Sequence, residues 1–113
     1  MEIEKTKYSE PYSLIIKEKF FENLEKIVDY ISIIQQQPLN AIKIGDGINE
    51  TMLKIIDNPL IYSECENIPS KTKIYREVGY KTWLIIFKIK TNKVIILGVL
   101  SSKQKPSSFK KLS

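Results

Sequence analysis

Apolar residues recur along this chain with two periods, and the change from one to the other divides it into a helical part and a strand part. After Pro11, a short alternation over Tyr12–Ile16 predicts a first strand, with residues 1–10 read as a polar, loose lead-in. From Glu18 to about Gln35, Phe20, Phe21, Leu24, Ile27, Val28, Ile31 and Ile34 follow the spacing of one helical face. Glu22, Glu25, Lys26 and Asp29 occupy the opposite face, so the segment reads as an amphipathic helix.

A Gln35-Gln36-Gln37 break follows, and Pro38 is suited to the first turn of a second helix, where its missing N–H costs nothing. That helix should run to about Asp57 and bury Ala41, Ile44, Ile48, Met52 and Ile55. Gly45 and Gly47 each lower helix propensity by about 1 kcal/mol relative to Ala, and so predict a close crossing or a kink. Asn58-Pro59 ends the helix, because a residue before Pro is pushed out of the right-handed helical region. Leu60–Lys71 reads as a loop with buried anchors.

Beyond Thr72 the period is that of strands: Lys73–Val78, Thr82–Ile89, a Lys90-Thr91-Asn92 turn, and Lys93–Leu100. Trp83, Ile85, Phe87 and Ile89 project to one face, and Leu84, Ile86, Lys88 and Lys90 to the other. Val94–Leu97 is apolar throughout, as in a central strand covered on both sides. The expected class is α+β in the order β-α-α-β-β-β, a helical hairpin packed on a mainly antiparallel sheet. Residues 11–113 form a single domain with a basic C-terminal tail.

Composition narrows what such a domain does. With 113 residues there is room for one core. The lone Cys65 makes no internal disulfide, no apolar run reaches the length of a membrane-spanning helix, and the N-terminus lacks a signal-peptide core, so a cytoplasmic protein without membrane contact is expected. There is no His, which removes His-based triads and leaves few zinc ligands, and no cofactor is expected.

Charge is unevenly distributed. Residues 1–68 hold seven Lys against twelve acids, a net of −5, whereas residues 69–113 hold ten Lys and Arg76 against Glu77 alone, a net of +10. A positive field concentrated in this way favours a polyanionic or acidic partner. The expected location is the sheet face away from the helices, together with the tail Ser101–Ser113. The candidate target- or nucleic-acid-binding residues are Arg76, Lys73, Lys81, Lys88, Lys103, Lys105 and Lys110.

Each candidate has a functional and a structural reading. Arg76 is the only arginine, and its planar fork would grip phosphate or carboxylate, or else pair with Glu66 or Glu77. The lysines around Pro106-Ser107-Ser108 either solvate a tail or neutralise phosphates without sequence readout. Tyr75, Tyr80, Trp83 and Phe87 interleave with Lys73, Lys81 and Lys88, compatible with base stacking and equally with sheet packing. Cys65 lies between Glu64 and Glu66, whose charges would raise its pKa and argue against a nucleophile. Ser101-Ser102 reads as a strand terminus.

The order of these elements resembles the RelE/ParE superfamily of toxins from type II toxin–antitoxin modules. The features that carry the resemblance are Tyr30-Ile31 closing the first helix, Pro38-x-x-Ala41 opening the second, the Asn58-Pro59 stop, and the paired strands Trp83–Ile89 and Val94–Leu100. The long hairpin is closer to the ParE, plasmid-stabilisation branch. RelE-like ribonucleases carry a Tyr-Arg pair, a later arginine and a terminal tyrosine; this chain has Trp83-Leu84, Lys103-Gln104 and Phe109 there. Phe has no hydroxyl for acid–base chemistry, and Leu84 cannot hold a phosphate.

The resemblance therefore implies a ParE-like toxin that inhibits DNA gyrase through a basic surface and is neutralised by a cognate antitoxin. The alternatives are a ribosome-dependent mRNA endoribonuclease with a lysine-based site and a non-toxic nucleic-acid-binding accessory protein. A catalytic residue set is not assigned.

Overall fold

A computed structural model describes residues 12–113 and the backbone of residues 2–9. Among these, the elements are β1 (Glu2–Ser9), β2 (Tyr12–Lys17), α1 (Glu18–Asp29), α2 (Pro38–Lys54), β3 (Tyr75–Tyr80), β4 (Trp83–Lys90), β5 (Lys93–Ser101) and α3 (Pro106–Lys110). The strands form one sheet in the order β1-β2-β5-β4-β3. β2 and β5 are parallel, and the other pairings are antiparallel. The helical hairpin on a mainly antiparallel sheet is thus as the periodicity predicts.

The lead-in differs. Residues expected to be loose form β1, which pairs antiparallel with β2 from Glu2↔Lys17 to Ser9↔Tyr12 across an irregularity. The polar composition that reads as a solvated arm is also that of an edge strand, where charged residues discourage pairing with other chains.

Helix α2 packs as expected: Ala41, Ile44, Ile48, Met52 and Ile55 are all buried. Its glycines mark two close approaches. A Cβ on Gly45 would sit 3.1 Å from Val28 of α1, and one on Gly47 would collide with the Tyr80 ring at the end of β3. The crossing read from these glycines is therefore real, and it presses α2 on both α1 and the sheet.

At the end of α1 the phase slips. Tyr30–Ile34 forms a π-helical turn closed by Gln35 N–H donating to Tyr30 O at 3.0 Å. A π turn holds more residues than an α turn and so rotates less per residue, and a position that would return to the inner face falls short of it. Ile31 stays buried, but Ile34, expected in the core, is 66% exposed.

Two cores result. Between hairpin and sheet lie Leu14, Ile16, Phe20, Ile48, Ile85, Phe87 and Ile96, with Trp83 and Ile89 against them. On the other face, Ile15, Ile86, Ile95 and Leu97 pack with Cys65, Ile68 and Phe109. β5 is covered on both sides, as its unbroken apolar run predicts. The other sheet face is not the open basic surface expected: the loop after α2 and the tail close over it. Phe109 drives this, since α3 buries it completely, and burying an aromatic ring outweighs leaving a short tail in solvent.

A bulge in β5 sets the last part of the core. Ile86 pairs with Gly98 but Phe87 with Ile96, so Leu97 is the extra residue. The alternation reverses there, which turns Val99 to the hairpin side and Leu100 to the other.

Candidate functional site

The predicted site residues do not converge on one face. Arg76 lies on β3, whose outer edge is taken up by the loop: Cys65 N–H donates to Tyr75 O at 2.9 Å, and Glu77 N–H to Ser63 O at 3.0 Å. Arg76 pairs with Phe87, which faces the hairpin. Its Nη1 donates to Tyr62 O at 2.8 Å and to Leu60 O at 3.3 Å, and its Nε is buried without a partner. The fork expected to hold phosphate, or to pair with Glu66 or Glu77, is engaged by backbone carbonyls. It clamps the loop that leads from α2 to the sheet.

Glu77 faces the opposite side, where it meets Cys65. Burial first, and the Glu77 carboxylate after it, push the Cys65 thiol up to about 11. Burial also raises the Glu77 carboxyl above its ordinary 4.5; the Cys65 hydrogen bond opposes that shift and the charge of Glu66 adds to it. The thiol is inert, as the sequence implies, with desolvation the larger cause.

The lysines divide between the two ends of β4. At one end, Lys88 Nζ sits over the Tyr75 ring at 6.0 Å, and Lys90 pairs with Lys93 across the β4–β5 turn. Lys73 joins them from a turn in which its N–H donates to Ser70 O at 3.2 Å, rather than from within β3 as expected. At the other end, Lys81 occupies the β3–β4 turn with Nζ 5.9 Å from the Tyr80 ring centre. Ser102 N–H donates to Thr82 O at 2.8 Å and so brings Lys103 and Lys105 beside it. The two groups are roughly 20 Å apart at the rise of a β-strand. Lys110 is exposed on α3.

Two features escaped the sequence reading. The first is the tip of the hairpin, where Tyr30, Ile33, Ile34, Leu39 and Ile42 are all more than half exposed. Between Tyr30 and Ile42 there is no Lys, Arg, Asp or Glu, which makes this an apolar cap of the kind that marks protein contacts. The signal was the apolar density on both sides of the glutamine run.

The second is a cleft of about 170 Å³ between α1 and the end of β5, lined by Asn23, Lys26, Ile27, Trp83, Val99, Leu100, Ser101 and Gln104. Asn23 is a polar residue within the apolar stripe of α1, three residues from Phe20 and four from Ile27. That misplacement in the stripe could have identified it. Among the described residues no cluster of acids, Cys or His could hold a metal ion, and no helix is long and apolar enough to cross a membrane.

A two-helix hairpin on a mixed sheet, with basic strand ends and an exposed apolar cap, defines a small α+β protein. Its fold is that of a chain from a solved structure described as the chromosomal ParDE TA system from P. aeruginosa. The TM-score is 0.64 at 22% identity, over 82% of this chain and 98% of that one. No curated protein matches in sequence. Residues 14–106 match the family described as the ParE toxin of type II toxin-antitoxin system, parDE, and the chain belongs to that family.

Proposed function

We propose that this chain is a toxin that inhibits DNA gyrase and is neutralised by a cognate antitoxin, acting in the cytoplasm by binding rather than by bond cleavage. The observation that carries the reading is Phe109. The position where RelE-like ribonucleases place a tyrosine hydroxyl holds a ring that is fully buried in the second core. Trp83-Leu84 stands in place of the Tyr-Arg pair, so the side chains by which that scheme activates a ribose hydroxyl and holds the scissile phosphate are not supplied at these positions.

The surfaces that support binding are of two chemistries. The apolar cap at Tyr30–Ile42 fits a polypeptide, and the lysine groups at the two ends of β4 fit phosphates or carboxylates. A family member encoded beside an antitoxin needs contacts to two proteins, one of them engaged on DNA.

Induction in a bacterium, followed by colony counts, tests toxicity. Purified chain with gyrase and supercoiled plasmid tests the target. Growth arrest together with accumulation of cleaved plasmid upon denaturation of gyrase is the expected result. Arrest without cleaved plasmid, accompanied by new 3′ ends on ribosome-bound message, would replace this reading with the endoribonuclease one. Normal growth with soluble protein and salt-dependent binding to DNA or RNA would replace it with the accessory-protein one.

A further inference from the structure

We infer that the apolar cap at the tip of the helical hairpin is a self-association surface, on which a second copy of this chain docks about a two-fold axis.

The backbone at the tip departs twice from regular geometry. Tyr30–Ile34 is π-helical, and Gln36, a non-glycine residue, takes the left-handed region at φ 54°. Departures of both kinds gather at functional positions. Their effect is to turn Ile33 and Ile34 into solvent, beside Leu39 and Ile42 on the first turns of α2. Leu39 is 82% exposed and so contributes little to the core of its own chain. Ile31 and Ala41 are buried in the hairpin core and hold the tip in place.

The area is that of a small dimer interface. Tyr30, Ile33, Ile34, Leu39 and Ile42 are 54–82% exposed. Side chains of this size exposed to this degree present roughly 500–600 Å², the upper end for the largest apolar patch of a monomer. A two-fold contact buries the patch twice. With Gln35, Gln36 and Pro38 covered as well, it removes roughly 1,200 Å², where specific interfaces begin.

Charge favours a copy of the chain over an acidic partner. From Tyr30 to Ile42 there is no charged side chain, so the cap offers an acidic segment nothing to pair with. One acid and one base, Asp29 and Lys43, stand at its two borders, and both are exposed. Across a two-fold axis residue i meets j and j meets i. Asp29 of each copy is thereby set beside Lys43 of the other, and one patch supplies two complementary pairs. Gln35 and Gln36 carry donor and acceptor on the same amide, and so complement themselves in the same way.

The positive charge of the sheet does not oppose this contact. Pro38 precedes Gly47, where α2 meets Tyr80, by nine residues, about 14 Å along the helix. Lys81 follows Tyr80, so its repulsion by a second copy acts over more than the Debye length of about 8 Å at physiological salt.

The assignment does not rely on the toxin reading. Sedimentation of the purified full chain from about 1 μM to about 1 mM, where small interfaces half-dissociate, tests it. The average mass should rise from one chain toward two, with concentration-dependent amide shifts centred on residues 30–42. Leu39→Asp should weaken association about tenfold or more, with thermal unfolding unchanged because Leu39 lies outside the core. Asp29→Lys and Lys43→Asp each set like charges across the axis and should weaken self-association. Mixed in equal amounts, the two variants restore opposite pairs and should dimerise again.

A chain that is monomeric at every concentration overturns the assignment. So does a dimer undiminished by Leu39→Asp, or charge variants that associate no better together than alone. A monomer that loses its antitoxin on Leu39→Asp substitution gives the cap to that partner instead. Growth arrest by a chain that stays monomeric removes this interface and leaves the toxin reading standing. A dimer with normal growth supports the interface and removes the toxin reading.

Discussion

Asn23 on α1 and Val99 on β5 are joined by a buried hydrogen bond across 76 residues of sequence, the side-chain oxygen accepting the strand's N–H at 3.1 Å. The bond replaces the strand partner that β5 loses where β2 ends. A Cβ on neighbouring Gly98 would come within 2.6 Å of the same oxygen, so the absence of a side chain there admits the amide. Asn23→Ala leaves the Val99 N–H unsatisfied and should cost about 1–3 kcal/mol. Urea denaturation measures this, and amide exchange at Val99 should quicken in the variant. An unchanged midpoint would mean that water takes the place of the amide.

Arg76→Ala removes both carbonyl contacts of the guanidinium and frees the loop after α2. A loss of about 1–3 kcal/mol is expected, with faster proteolysis between Leu60 and Ile68. Growth assays on this substitution therefore need a stability measurement beside them, since a loosened fold and a lost contact surface give the same colony count. Arg76→Lys, with a single ammonium in place of the fork, should recover only part of the stability.

Glu77 makes stability depend on pH in a definite direction. Its folded pKa lies above the ordinary 4.5, so the folded state binds this proton more tightly than the unfolded chain does. The resulting stabilisation is fully present below about pH 4.5 and is lost as pH rises through the folded value. Glu77→Gln should be more stable than the parent at pH 7, and the advantage should vanish at pH 4. Thermal unfolding at the two pH values tests the sign, and an advantage that persists at pH 4 would contradict it.

Gly47 and Tyr80 form a tight contact between α2 and β3. Gly47→Ala gains helix propensity worth about 1 kcal/mol, but it drives a methyl group into the Tyr80 ring. Overpacking typically costs about 1–3 kcal/mol, so a net loss of stability is expected. In a Tyr80→Ala background the clash is gone and the same substitution should stabilise. A double-mutant cycle that shows no coupling would refute the contact.

The sequence by itself determined the type, order and faces of the hairpin and of β2 to β5. Each of these elements buries a face, and the burial writes a period of 3.6 or 2 into the local pattern. Ala41, Ile44, Ile48, Met52 and Ile55 on α2, and Trp83, Ile85, Phe87 and Ile89 on β4, were legible for that reason. The closeness of the α2 crossing was legible too, because only a missing side chain admits it. β1 was not legible, since an edge strand carries little apolar periodicity, and neither was the π turn that throws Ile34 outward.

Tertiary structure alone decided which groups meet across the chain. Arg76 binds the carbonyls of Leu60 and Tyr62, Asn23 replaces a missing strand, Phe109 pulls the basic tail onto the sheet, and the lysines separate to two ends. None of these leaves a local period. Each is fixed by where a polar group is left without a partner, or an apolar face without cover, once the elements have packed.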